Sequence, residues 1–422
     1  MTIVLFEDPQ VTQLYPVTVG RPAFTISCAS YRLIDLVSGW GHEVSTVVRP
    51  HLRAVQQADF PNAGSSASGP VVSAAGGKRF DQPVALINAR VVPSAAVAKR
   101  IKDALCAGKP GVVAGPQGVA LAILPPDSPL PQVDIDTCGL ADFVAGLNLP
   151  PLDLELPLFV YPHDIVRHHL ETLAGNLEHR LAEGTYQEIA DGVFAAAEAQ
   201  LGQHVVIDTR RGPIVLEARA QIGPFCYLSG PAHLGAGARV IEHSAIKDGV
   251  TLGHTTKIGG EIEGSIIEPY TNKQHHGFLG HSYLGSWVNL GAGTCNSDLK
   301  NTYGQVNMEY AGQKVATGMQ FVGAIVGDYA KTAINTGIFT GKTIGACSMI
   351  YGFVTTNVPS FVNYARLFGQ VTEAPVEVMV ATQARMFARR NVAQRPCDIQ
   401  LLHDMYELTR HERQLAGEPL SL

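Results

Sequence analysis

From Leu216 to Ile258 an aliphatic residue stands at every sixth position without a miss: Leu216, Ile222, Leu228, Leu234, Val240, Ile246, Leu252 and Ile258. If about one residue in four is Ile, Leu or Val, eight in one register arise with odds on the order of one in 10⁵. Two residues ahead of seven of them sits a small or β-branched side chain: Ala220, Cys226, Ala232, Ala238, Ser244, Val250 and Thr256. The register returns as Val326, Thr332, Ile338, Ile344 and Ile350, and Leu284 and Leu290 hold a short piece of it between. A helix repeats at 3.6 and a strand at 2, so neither produces a six. A prism with three flat sides does. One aliphatic per side points inward, small residues fit beside it, and glycines such as Gly223, Gly235, Gly253 and Gly259 permit the corner turn. Three hexads make one coil.

Composition agrees with a turn-rich core protein. Of 422 residues, 43 are glycine, and charged residues make up only 16%. That pairing argues against disorder and against a coiled coil. The net charge is −6, with no basic block to hold a nucleic-acid backbone, so nucleic acid is not an expected partner. Seven scattered cysteines with no C-x-x-C read as reduced thiols. No stretch approaches 18 apolar residues and the start lacks a basic segment. The expectation is a cytoplasmic protein without a membrane partner.

Four segments read differently. Residues 1–160 alternate short apolar runs with helical stretches. Val84-Ala85-Leu86-Ile87 reads as a buried strand, Ser94 as the cap of a helix ending at Gly108, and Val112-Val113-Ala114 as another strand. This predicts an α/β layer with a partly parallel sheet. Asn62 to Gly69 reads as a loop, and the prolines from Pro125 to Pro162 as a connecting segment. Residues 161–200 form a helical linker with an apolar stripe at Ile165, Val166, Leu170, Leu173, Leu177 and Leu181. Residues 201–365 hold the hexads. In 366–422 two amphipathic helices after Pro375 are expected to cap the open end of the solenoid or to pack on a neighbouring subunit.

The hexads break twice, at Gly259 to His281 and at Gly291 to Gly304. Both segments are expected to leave the coil and to carry the chemistry. The first contains Asn272-Lys273-Gln274-His275-His276-Gly277-Phe278-Leu279-Gly280-His281; the second begins Gly291-Ala292-Gly293-Thr294-Cys295-Asn296. The hexad coil resembles the left-handed parallel β-helix of hexapeptide-repeat acyltransferases, and its handedness comes from that resemblance alone. The run from Asn272 to Gly304 resembles the acetyltransferase domain of the bifunctional N-acetylglucosamine-1-phosphate uridyltransferase/glucosamine-1-phosphate acetyltransferase family, in a divergent branch. The resemblance places a catalytic base on His275, three residues before Phe278-Leu279-Gly280. It places substrate contacts on Asn289 and Asn296, and acetyl-CoA as the acyl donor. An amine attacking a thioester must lose a proton, which a neutral imidazole can accept. Lys273 and Lys300 would then meet a phosphate, and Tyr303 is a substrate contact or a packing residue. Ala292 and Arg390 are the candidate contacts to the cofactor, although Arg385, Arg389 and Arg390 also suit a solvated helix face.

Glu261 and Glu263 stand where that acetyltransferase carries basic residues, so either a sugar 1-phosphate would be held differently or the acceptor is not a phosphate. His276 and His281, with His243 further upstream, offer an alternative. They resemble the metal-binding histidines of hexapeptide-fold carbonic anhydrases and would suit a metal-dependent hydratase.

The opening resembles the sugar nucleotidyltransferase domain of the same branch. The resemblance rests on Leu5-Phe6-Glu7-Asp8, on Tyr31-Arg32-Leu33-Ile34-Asp35, and on Leu86-Ile87-Asn88-Ala89-Arg90. Such enzymes need a glycine-rich phosphate loop and an aspartate holding Mg²⁺. Here the glycine-rich signature is missing, and Asn88 stands where the metal-binding aspartate is expected. Arg21 and Arg32 are candidates for phosphate contact. An active domain and a degenerate, regulatory one both remain open. The whole implies an α/β nucleotidyltransferase-like domain followed by a β-helix and C-terminal helices. The expected protein is a homotrimer acting on a small sugar phosphate and a nucleotide, with a non-catalytic sugar-nucleotide-binding scaffold as the alternative.

Overall fold

The structure, a computed structural model, describes residues 1–61, 64–65, 83–126, 128 and 137–415. The chain divides into two compact units. One holds Met1–Leu14, Gly20–Ile26 and Tyr31–Tyr161; the other holds Tyr15–Val19, Ser27–Ser30 and the chain from Pro162.

The first unit is built on a six-stranded sheet. Thr2–Phe6 pairs in parallel with Glu43–Val47 on one side and with Val84–Asn88 on the other. All five residues of Val84–Asn88 are buried, as an unbroken apolar run in a parallel sheet should be. The helix Ala95–Ala107 starts at Ser94, whose Oγ accepts from the Val97 N–H at 3.2 Å, and ends at Gly108 in the left-handed conformation. Gly111–Gly115 and Gly118–Leu124 form a hairpin whose second strand runs antiparallel to Val84–Asn88. Its signal in the sequence is the apolar run from Val119 to Leu124, bounded by Gly118 and Pro125. The proline-rich connection also carries a helix, Thr137–Gly146. Apart from the short strand Gly64–Ser65, the loop expected at 62–69 lies outside the described residues. Successive strands leave Thr2–Phe6 on opposite sides. The carboxyl ends of Thr2–Phe6 and Val84–Asn88 therefore flank a topological switch point, where open α/β sheets place their ligands.

The second unit is a parallel β-solenoid of about 10 turns over 193–364. Its first face stacks Val193–Ala195, Ile214–Leu216, Ala232–Leu234, Val250–Leu252 and their successors in parallel. The second begins Gln200–Leu201, Gln221–Ile222, Arg239–Val240, and the third Val206–Asp208, Tyr227–Ser229, Ala245–Ile246. The eight hexad aliphatics are all buried, none more than 4% exposed.

The first hexad break does not leave the coil. Glu261–Glu263, Ile266–Ile267, Asn272–Lys273 and Phe278–Gly280 continue all three faces in register. The sequence period is lost because the sides shorten: Ile262 pairs with Ile246 and Ile267 with Leu252. This puts 15 residues between levels on the first face, where a regular coil has 18. The second break does leave. After Cys295–Asn296 the chain runs out through an antiparallel hairpin, Asn307–Tyr310 with Gln313–Ala316, and returns at Ala324–Val326.

The C-terminal helices pack on the last coil, where Glu412 Oε2 accepts from Ser360 N at 2.8 Å and Tyr406 meets the Phe361 ring at 5.3 Å, and the first of them also extends back along the solenoid. The helix Val376–Ala388 starts beside Phe361, whose carbonyl accepts from Ala374 N, and runs back along the coils. Phe387 reaches Trp287 with ring centroids 4.5 Å apart, and Trp287 stacks on Tyr270 at 4.2 Å. Thirteen helical residues span about 20 Å, which matches about four coils at roughly 4.8 Å each. Pro396–Leu408 returns the chain, and Tyr406 donates to Glu373 Oε1 at 2.6 Å. The linker helix Pro162–Glu183 buries Ile165, Val166, Leu173 and Leu177 of its expected stripe; Leu170 stays 38% exposed. Among the described residues no helix is long and apolar enough to cross a membrane.

Candidate functional site

The corner between the second and third faces is turned by His204, Phe225, His243, Gly260, Gly277, Gly293, Asn335 and Gly352, all at positive φ. The first three stack their rings, His204 on Phe225 at 5.1 Å and Phe225 on His243 at 5.2 Å. The next three coils present glycine, so the ring ladder stops and main chain lines a groove, which the His276 imidazole borders: its Nε2 lies 3.4 Å from where a Cβ of Gly293 would stand. Glycine is obligatory there. A Cβ at Gly260 would stand 2.6 Å from Gly277 O, and one at Gly277 would stand 2.1 Å from Thr294 O. His275 and His276 precede Gly277 and are exposed; Phe278 follows it. Cys295 stands one coil on, accepting from the Phe278 N–H at 3.4 Å.

The expected substrate contacts separate into three groups. Lys273 is not at the surface: it occupies an inward hexad position, 2% exposed, paired in register with Ile258. Its Nζ donates to Gly259 O at 2.8 Å and to His275 O at 2.7 Å, so it has no route to a phosphate. Asn296 is also inward and buried. Its Oδ1 accepts from Gly280 N at 2.9 Å and its Nδ2 donates to Gly280 O at 3.0 Å, closing the rung instead of orienting a sugar. Asn289 faces outward and is exposed, bridged through its backbone to Asn272 and Lys331. Lys300 and Tyr303 lie on the excursion after Asn296. Lys300 Nζ donates to Gln305 O at 2.7 Å, and Tyr303 is 71% exposed. The Ala292 carbonyl accepts from Asn335 N at 2.7 Å, which locks the turn that carries it.

The back-folded helix brings cations to the second face. Arg390 donates to Asn272 Oδ1 at 2.6 Å, one rung from Asn289. Arg239 and Lys257 stand in adjacent rungs of the same face. Burial, then the neighbouring Arg390, Arg239 and Arg389, push the Lys257 ammonium below its usual range. Burial, then Arg389 and Arg239, do the same to Arg390, against a smaller opposing effect of Tyr270. Like charges crowded in this way suit an anionic ligand.

One pair went unforeseen. His281 Nδ1 lies 2.8 Å from Asp298 Oδ2, with the imidazole stacked on Phe321 at 5.2 Å. The residues are 17 positions apart, close to one coil, which is the signal that would have joined them. His281 is therefore engaged with Asp298, and His243 with the Phe225 ring. Among the described residues no group of three or more His, Cys, Asp or Glu is arranged to hold a metal. The hydratase alternative thus finds no ligand set within them.

In the first unit the switch point is filled by ion pairs. Arg90, fully buried, donates to both oxygens of Asp8 at 2.8 and 2.6 Å, and to Phe159 O, Gln10 Oε1 and Gln117 O. Asn88 turns its amide N–H groups to Asp8 Oδ2 and Val119 O, while its Oδ1 accepts from Arg90 N. Glu7 is bound by Arg49 and by the Ala23 N–H. Arg32 forms two bonds of 2.7 Å to Asp35 at the start of its own helix, and the Arg21 carbonyl accepts from Arg49. These residues do not fit a divalent cation. Asn88 presents donors, and a guanidinium already neutralises Asp8.

Residues 3–183 match the sugar nucleotidyl transferase family. A bifunctional sugar-1-phosphate nucleotidylyltransferase/acetyltransferase of Sulfurisphaera tokodaii is 30% identical over 149 residues, 35% of this chain and 37% of the relative. The bifunctional protein GlmU of Ralstonia pickettii is 34% identical over 119 residues, 27% of this chain and 24% of the relative. The chain thus spans between a quarter and two-fifths of the length of these curated relatives. Among solved structures, the UDP-N-acetylglucosamine acyltransferase of Francisella novicida aligns with TM-score 0.34 and 14% identity, covering 53% of this chain and 76% of that one.

Two outcomes follow from this geometry. Burial, only partly offset by Cys295, pushes the Lys273 ammonium down to about 8, against about 10.4 in an unfolded chain. The folded state then binds fewer protons between those values, so Lys273 destabilises fully below pH 8 and is relieved as pH rises towards about 10.4. Denaturant unfolding at pH 7.5 and 9.5 should show wild type gaining stability relative to Lys273→Met at the higher pH. For the first unit, crystals soaked in Mn²⁺ should give no anomalous peak between Asp8 and Asn88; a peak there would make the pair a metal site.

Proposed function

We propose that the solenoid is an acyl-CoA-dependent N-acetyltransferase acting on an amino sugar, glucosamine 1-phosphate, with His275 as the general base. The observation that carries the reading is the exposure of His275, two residues before Gly277 of the glycine corner, within a segment that resembles an acetyltransferase motif. The sugar amine attacks the thioester carbonyl, a C–N bond forms, and the amine proton passes to His275. Collapse of the tetrahedral intermediate breaks the C–S bond, and the leaving thiolate takes the proton. The cofactor phosphates lie against Arg390, Arg389, Lys257 and Arg239, and Asn289 holds the acceptor beside them. A homotrimer in the cytoplasm is the active assembly, because a groove on one prism closes only against a neighbour.

The first unit, on this reading, binds the nucleotide sugar without metal-dependent transfer. The Arg90–Asp8–Asn88 network supports the second half of that reading, since among the described residues it leaves no carboxylate free to hold a divalent cation.

Removal of a positioned base costs roughly 10²–10⁴-fold. His275→Ala should lower kcat for thiol release by that factor, with KM for acetyl-CoA little changed and an unaltered melting curve. A folded variant with wild-type turnover would end the proposal.

A further inference from the structure

Among the described residues, Lys273 is the one charged side chain at an inward position of the solenoid. Its neighbours in the same column, Ile258 and Leu290, are aliphatic and buried. An amine inside an apolar column is unfavourable unless its hydrogen bonds are made. Both bonds it makes go to the corner, one to Gly259 O and one to His275 O. A Cβ at Gly260 would stand 2.8 Å from Nζ, so the amine lies directly beneath the glycine groove. His281 has a carboxylate to orient its ring. His275 is exposed, and no side-chain hydrogen bond of its imidazole is seen among the described residues. What fixes its place is the main chain, and the donor on its carbonyl is Lys273.

We infer that Lys273 is the positioning residue for His275, holding the His275 peptide from inside the coil and so fixing where its imidazole stands beside the glycine corner. This rests on His275 being the acyl-transfer base. It assigns to a hexad position, elsewhere filled for packing alone, control over the geometry of the reaction. Methionine is close in length and shape to lysine and suits the apolar column, so Lys273→Met keeps the coil filled while removing both donors.

The experiment compares kcat and KM for thiol release from acetyl-CoA, with glucosamine 1-phosphate as acceptor. It uses the full-length wild type, Lys273→Met, His275→Ala and the double variant, each with a melting curve. A misplacement of about 1 Å costs up to roughly 10²-fold. Lys273→Met should melt as one cooperative unit, lose roughly 10–100-fold in kcat, and keep both KM values within about twofold. Because Lys273 acts through His275, the double variant should be no slower than His275→Ala alone. If His275→Ala is slow but Lys273→Met keeps wild-type kcat, the inference fails and the base assignment stands. A double variant slower than His275→Ala by the full Lys273→Met factor would also overturn it, since that is the pattern of an independent structural role. If His275→Ala retains wild-type kcat, the base assignment itself fails. Should Lys273→Met not fold, Lys273→Leu replaces it: both donated bonds are lost in an apolar column, a loss confined to kcat is the expected result, and unchanged kcat overturns the inference.

Discussion

Coil-to-coil backbone hydrogen bonding sets how closely the chain can stack on itself, and the corner at Gly260, Gly277 and Gly293 depends on that spacing. Where sides of full length stack, the corner has room for His204, Phe225 and His243, and their rings continue the ladder. Where the sides shorten after Ile258, the carbonyls of Gly277 and Thr294 come within 2.1–2.6 Å of where a Cβ would be. Only glycine fits, and a groove replaces the ladder. The same shortening lets a lysine amine reach the corner carbonyls from within. Groove, buried amine and exposed histidines are consequences of one local change in coil length.

The helices after Pro375 extend this logic to charge. Packed on the last coil and folded back along the others, they anchor through Phe387 on Trp287 and bring Arg389 and Arg390 beside Lys257 and Arg239. Repulsion among those cations is tolerated on a partly solvated face and becomes favourable once an anion binds. The first unit shows the opposite arrangement. Arg90 and Arg49 neutralise Asp8 and Glu7 internally, so the crevice at its switch point is already charge-balanced.

The solenoid was legible because its period is set by geometry that every coil repeats; Leu216 to Ile258 announce it directly. From Gly259 to His281 the period is lost while the coil is kept, because a side can lose one or two residues and still pair. The same shortening hides the register of the site residues. Lys273 and Asn296 look like polar surface residues in sequence, yet each sits one side length from an inward aliphatic. His281 and Asp298 needed the coil period applied to polar residues, not only to aliphatic ones. In the first unit the helix from Ser94 to Gly108 followed from its caps. The pairing of Arg90 with Asp8 across 82 residues has no local signal, because it depends on two strand ends meeting in the sheet.

The central claim is that the glycine groove beside His275 transfers an acyl group to an amino sugar. Its most direct measurement is release of free CoA thiol by the purified wild-type protein across a panel of amino sugars and their 1-phosphates. The account predicts turnover with an amino-sugar 1-phosphate and none with the matching sugar that lacks the amine. No thiol release with any member of the panel, from folded protein at millimolar acceptor, would contradict it.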